Sequence, residues 1–206
     1  MTFLATHAEN TLIRTQLTQN RVLRGARAEV MAELERHLLI VECDKGDFLL
    51  HQGTPVMEQY FILDGILKCV VTSRQAHEMI LRFGVEGDIE SSYLAWRLKV
   101  PAQYSVVAMT RARVAKLTIP QWVALMDGHG ELKASFEYEL MRLMNDIMAH
   151  AIELQLLDGA GRMHLLRQDP ALFTRMSKKE LAAYLNLCPE TLSRLKHEAE
   201  IGVAEK

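Results

Sequence analysis

Cysteine is scarce in this chain. Cys43, Cys69 and Cys188 stand far apart among 206 residues and form no CxxC pair. That excludes a disulfide scaffold and points to a reducing, cytoplasmic compartment. Long apolar runs are missing as well. No uncharged stretch reaches the roughly 18 residues a membrane-spanning helix needs, and the opening MTFLATHAENTLIRTQ lacks the basic-then-apolar order of a signal peptide. Eight histidines are present, none in HxH, HxxxH or HExxH spacing, so no cupin-type metal centre is expected. No Walker loop, Ser/His/Asp order or pair of catalytic carboxylates can be placed, so the chain is not expected to be an enzyme. Charge of one sign is also lacking. The net charge of −2 carries no whole-chain signature of a polyanion partner.

What is present supports a folded protein. Hydrophobic residues make up 49% and charged residues 24% of the chain, enough for a real core. Residues 20–40 read as one helix with Val30, Leu34, Leu38 and Ile40 mostly on one side, behind a polar leader over 1–19. From Val41 to Pro120 short β-forming runs (DFLLHQG, QYFILDG, ILKCVVTS, EMILRFG, YSVVAMT, RVAKLTIP) alternate with turn residues. This pattern predicts an antiparallel barrel or jelly roll, with the DG at 64–65 as a hairpin turn.

The period then becomes helical. Phe136, Leu140, Leu143, Ile147, His150, Leu154 and Leu157 step by alternating fours and threes. A sustained heptad row predicts a second helix alongside, most simply from an identical chain, and these seven residues are the expected dimer seam. Met141, Met144 and Met148 form a neighbouring stripe, expected to pack on the barrel. His150 has two readings: a polar residue fixing register, or a protonatable pair across a two-fold axis. DGAG at 158–161 reads as a hinge or helix break. The expected class is α+β: a β-roll domain with its N-terminal helix over 1–130, a dimerisation helix over 131–158, and a helix-turn-helix domain over 159–206.

The last segment carries the strongest motif. Ser177 with Glu180 makes a capping box, and Leu181, Ala182 and Leu185 give the following helix an apolar face. NLCP is a tight turn, and Pro189 suits the first position of a second helix. Leu192 and Leu195 would bury, leaving Glu190, Thr191, Ser193 and Arg194 to project outward. A helix-turn-helix presents such residues to base edges, where arginine pairs with guanine and glutamate with a cytosine amine. Ser177, Lys178, Lys179 and Lys196 are the expected flanking DNA contacts. Residues 162–206 hold eight basic against six acidic groups, the reverse of the balance elsewhere. The plainer alternative is a helical hairpin with a solvated face. Cys188 stands where a Ser, Thr, Asp or Asn cap is preferred. It is either a redox-sensitive residue at a helix start or a tolerated substitution.

From about residue 25 onward the sequence resembles the Crp/Fnr superfamily of bacterial transcription regulators. GDFLLHQGTPVMEQYFILDGILKCVV is similar to the start of its cyclic-nucleotide-binding β-roll, the heptad helix to its dimerisation helix, and CPETLSR to the start of its recognition helix. The resemblance implies a homodimeric regulator that binds a two-fold operator in double-stranded DNA and works with RNA polymerase. Glu190, Ser193 and Arg194 match the Fnr-like spacing, which implies half-sites related to TTGA. Two departures qualify it. The cassette that holds cyclic phosphate ends in an Arg-Ser pair, where this chain reads Pro101-Ala102-Gln103. Glu90, Ser91, Ser92 and the out-of-register Arg97 remain as candidate effector-pocket residues. Burying a phosphate without a cation is costly, so cAMP is not the expected effector. An Fnr-type iron–sulfur cluster needs cysteines ahead of Cys43 and is rejected, while haem stays open. The chain also ends at IGVAEK without the usual wing, as in a wingless branch, which implies modest, salt-dependent affinity. A ligand-binding or protein-interaction module of the same fold that has lost DNA binding is the alternative.

Overall fold

The computed structural model describes residues 1–76, 78–165 and 173–204. Arg167 and Asp169 of the charge count, and residues 205–206 at the end of IGVAEK, lie outside them. In chain order the elements are β1 (Thr2–Phe3), α1 (Asn10–Gln19), α2 (Ala28–Glu35), β2 (Leu39–Cys43), β3 (Phe48–Leu50), β4 (Glu58–Asp64), β5 (Leu67–Thr72), β6 (Glu78–Gly84), β7 (Ile89–Ser91), α3 (Tyr93–Arg97), β8 (Ser105–Ala108), β9 (Ala112–Thr118), α4 (Ile119–Gly128), α5 (Gly130–Leu156), α6 (Gly159–Leu165), α7 (Lys178–Tyr184) and α8 (Pro189–Ala204). Two compact units result: residues 1–71 with 83–143, and residues 72–82 with 144–206. The division falls inside α5, not at the expected limits of 130 and 158.

The β-roll is two antiparallel sheets, ordered β1-β2-β9-β4-β7 and β3-β8-β5-β6. Alternation puts Phe61, Leu63, Ala115 and Leu117 into a core shared with Ile13, Leu17, Val30, Leu34, Trp122 and Phe136. Phe61 and Phe136 both meet Trp122 edge-on, with ring centroids 5.4 Å apart. The Thr118–Gln121 capping box and Pro120 start α4, which sequence reading left unassigned.

Two expectations are corrected here. The helix expected over 20–40 is only α2, followed by β2, and the leader holds α1. Asn20 ends α1: its buried side chain accepts from Val22 N at 3.0 Å and donates to Asp88 O at 3.0 Å. Ile40 belongs to a strand, paired with Thr2 and Ala115. The DG at 64–65 turns the chain but makes no hairpin. β4 pairs with β7 and β9 in one sheet, while β5 pairs with β8 in the other. Gly65 forms that corner at φ +85°, and a Cβ there would lie 2.3 Å from Arg111 O. A corner between sheets and a hairpin need the same glycine, so composition alone does not separate them.

The long helix is correct in extent and reversed in facing. At 27 residues α5 is about 40 Å long. Phe136 and Leu143 are buried in their own chain's core and Leu140 packs against it. Ile147, Leu154 and Leu157 are half-buried, and His150 is buried. The exposed row is instead Tyr138 (68%), Met141 (63%), Met144 (45%), Met148 (58%) and Ile152 (48%). The expected seam therefore packs inward, and the methionine stripe expected on the barrel faces out.

Candidate nucleic-acid interface

Residues 177–204 form two helices joined by a four-residue turn. The Ser177–Glu180 capping box starts α7: Ser177 N donates to Glu180 Oε2 at 2.9 Å and Glu180 N to Ser177 Oγ at 3.3 Å. The helix ends with Asn186 in the left-handed region at φ +50° and a bond from Leu187 N to Ala182 O at 2.9 Å. That closes a Schellman-type cap, for which asparagine is the usual substitute for glycine. Pro189 then opens α8. Leu181, Ala182, Leu185 and Leu192 are buried between the helices.

This burial fixes which face of α8 points out. Glu190, Ser193 and Arg194 are exposed, and Thr191 and Lys196 are half-exposed. His197, seven residues after Glu190, is exposed on the same face. Sequence reading missed His197, although the i, i+3, i+4, i+7 rule applied from Glu190 reaches it. Lys178 and Lys179 are exposed on the first turn of α7. Ser177 is exposed as well, and its hydroxyl serves as the cap, donating to Glu180 Oε2 at 2.7 Å. The Cys188 thiol is exposed, 3.0 Å from Thr191 Oγ1.

The expected effector residues separate into a buried cluster and one outlier. Glu90 is 1% exposed on β7. Its Oε1 accepts from Tyr104 Oη and Ser91 N, both at 3.0 Å, and its Oε2 lies 3.0 Å from Cys69 Sγ. Tyr104 Oη also reaches Ser91 O at 2.9 Å. Ser91 Oγ accepts from Tyr93 N at 3.1 Å, and Ser92 is buried at the start of α3. Arg97 is exposed on the last turn of α3 and makes no hydrogen bond or ion pair among the described residues. Tyr104 and Cys69, not Arg97, complete the cluster. Their partnership across strands leaves no local spacing to read.

A cyclic phosphate does not fit the stretch that resembles its cassette. Ala102 is buried, with its N–H on Thr54 O at 2.9 Å and its carbonyl accepting from Gly53 N at 2.8 Å. Gln103 turns its amide onto Pro101 O at 2.7 Å. Neither supplies a cation to a phosphate, and Glu90 is engaged within its own cluster. Among the described residues no group of three or more His, Cys, Asp or Glu side chains is arranged to hold a metal ion. No described helix is long and apolar enough to cross a membrane.

Comparison with known proteins agrees with this architecture. Residues 40–129 match the family model for the cyclic nucleotide-binding domain, so this part of the chain has that domain's fold. Three solved structures are similar in fold over most of their length. The c-di-GMP responsive global regulator CLP of Xanthomonas campestris is 14% identical with a TM-score of 0.74, covering 85% of this chain and 93% of its own. FixK2 of Bradyrhizobium japonicum is 16% identical with a TM-score of 0.68, covering 80% and 85%. A Eubacterium rectale protein assigned to the crp/fnr family of transcriptional regulators is 11% identical with a TM-score of 0.72, covering 90% and 88%. No curated protein matches the sequence.

Proposed function

We propose that this chain is a homodimeric, sequence-specific DNA-binding transcription regulator of the Crp/Fnr type, that it is not an enzyme and that cAMP does not control it. The observation carrying this reading is the outward face of α8. Glu190, Ser193, Arg194 and His197 share it, with Lys178 and Lys179 exposed on the first turn of α7. Such a face suits base-edge contacts from the first turns of a helix in the major groove, with lysines on the phosphates. The name helix-turn-helix for α7 and α8 belongs to this reading.

Dimerisation runs along α5. Tyr138, Met141, Met148 and Ile152 repeat at heptad spacing on its exposed side, with Asn145 between the two methionines. A polar residue in an apolar seam specifies register, so Asn145 takes the role expected of His150. RNA polymerase is the further partner of a regulator built this way, and the cytoplasm its compartment.

A duplex of TTGA-N6-TCAA, with half-site centres one helical turn apart, tests the reading by fluorescence anisotropy. Wild type should prefer it to a scrambled duplex. Arg194→Ala should lose about 1–3 kcal/mol per half-site. Equal binding of both duplexes, or an Arg194→Ala variant that binds like wild type, overturns sequence reading by α8. Binding of neither duplex favours the module that has lost DNA binding.

A further inference from the structure

The segment DGAG at 158–161, read from sequence as a hinge or helix break, is a helix break between α5, ending at Leu156, and α6, starting at Gly159, and Arg162 braces it. Asp158 caps α6: its Oδ1 accepts from Gly161 N at 2.8 Å and its carbonyl from Arg162 N at 2.9 Å. Arg162 then turns its guanidinium back across two helix ends. Nε donates to Leu157 O at 3.0 Å, and Nη2 to Leu154 O. Nη1 donates to Asn186 O at 3.2 Å and to Leu185 O at 3.4 Å. The first two carbonyls lie at the C-terminal end of α5, and the others at the C-terminal end of α7.

Last-turn carbonyls have no partner within their own helix, and they carry the negative end of its dipole. One cation here serves two such ends. Only a planar fork with five donors reaches four carbonyls in this way; an ammonium on a flexible stem does not. His150 adds a second point of attachment. Its Nε2 lies 3.0 Å from Tyr184 O, and its ring stacks on the Tyr184 ring with centroids 4.0 Å apart and planes 8° apart. Three consecutive carbonyls, those of residues 184, 185 and 186, are thus held by side chains from α5 and α6. They lead directly into the turn before α8. α6 also approaches α8 closely: a Cβ on Gly159 would lie 3.0 Å from Leu195 Cδ1.

We propose that Arg162 and His150 are positioning residues that lock α7 and α8 to the end of α5, and thereby set the half-site spacing the dimer accepts. The inference rests on the DNA-binding reading and extends it. In a dimer paired along α5, the separation of the two α8 helices follows from their attachment to α5, and operator spacing mirrors that separation. Side chains on α8 choose the bases, and the lock chooses the distance between them.

The test uses the full chain and duplexes TTGA-Nn-TCAA with n from 4 to 8. Wild type should favour one spacing by about tenfold or more. Arg162→Gln should bring all spacings to within about threefold of each other while still preferring TTGA half-sites to scrambled ones. Arg162→Lys should fall between, and His150→Gln should flatten the profile less. Lys179→Ala should weaken every duplex by the same factor. Circular dichroism and native mass establish that each variant remains a folded dimer. If Arg162→Gln does not fold, Arg162→Lys and His150→Gln decide. An unchanged spacing profile in folded variants, or equal weakening at all n, overturns the lock and leaves the DNA reading intact. A wild type that binds none of the duplexes defeats the DNA reading. In that case hydrogen exchange of amides 185–192 decides the lock: about tenfold faster opening in Arg162→Gln retains it, and unchanged exchange overturns it.

Discussion

His150 shows how one side chain takes on a role the sequence suggested for a different surface. The heptad row placed it on a two-fold axis; it is buried instead against Tyr184 of its own chain. The Tyr184 carbonyl can only accept, so Nε2 carries the proton in this contact whether or not Nδ1 is also protonated. Burial pushes its pKa below the ordinary value of 6.5, against smaller opposing effects from the Tyr184 carbonyl and Glu153. The same burial raises the Tyr184 hydroxyl to about 12, helped by Glu153 and Asp146. The folded state therefore binds a proton at His150 less readily than the unfolded chain. Its neutral form contributes fully above pH 6.5, and stability falls as pH drops through 6.5 toward the lowered folded value. The thermal midpoint should fall between pH 7.5 and pH 5.5, by about 2–4 °C for each kcal/mol lost. His150→Gln should show a shallower slope over that interval; an identical slope would assign the pH effect elsewhere. Local signals were the most legible at this scale. The Ser177–Glu180 box and Pro189 are sequence-adjacent and stand where read. Gly65 and Glu90 depend on distant partners, Arg111 for one and Tyr104 and Cys69 for the other, so their roles were not legible.

At the scale of elements, α5 separates what periodicity reveals from what it does not. The three–four spacing reveals that a row exists. It does not say which of two apolar rows faces the chain's own core. Here the leucine and phenylalanine row does, because Phe136 must meet Trp122 and Tyr93 edge-on at 5.4 and 5.1 Å, and such a core needs well-defined shapes. Methionine, flexible and tolerant of irregular surfaces, takes the exposed row. Two substitutions tell these faces apart by light scattering and circular dichroism. Met148→Asp sets two carboxylates near each other across the proposed seam and should give a folded monomer, weakening the dimer by about 2 kcal/mol or more. Leu143→Ala should leave the dimer but lower stability by about 2–5 kcal/mol through a cavity in the core. A Met148→Asp protein that stays dimeric would remove α5 from the interface. The same limit of local reading explains α2 and β2. Val30, Leu34, Leu38 and Ile40 are all buried, and a continuous helix would also have buried them; what ended it was Asn20, Gly25 and the pairing of β2 with β9.

At the scale of the whole molecule, the two compact units divide the chemistry. The second unit carries Lys178, Lys179 and the α8 face, and the first carries most of the cyclic nucleotide-binding domain with a closed Glu90–Tyr104–Cys69 cluster inside it. A bound effector adds stability in proportion to the logarithm of its concentration over its dissociation constant. A micromolar ligand supplied at millimolar concentration adds about 4 kcal/mol, or roughly 8–16 °C in a chain of this size. cAMP should do far less. Its phosphate would meet Ala102 and Gln103, whose groups are engaged within the loop, where the related cassette offers an arginine. The expected outcome for wild type with 1 mM cAMP is a thermal midpoint shift below about 1 °C and an unchanged affinity for TTGA-N6-TCAA. A shift of several degrees, with tighter DNA binding, would mean that other side chains hold the phosphate, and the β-roll would then be a working nucleotide sensor. No shift, with DNA bound by the protein alone, would mean that the pairing of α5 and the Arg162–His150 joint already hold α8 in its DNA-binding position.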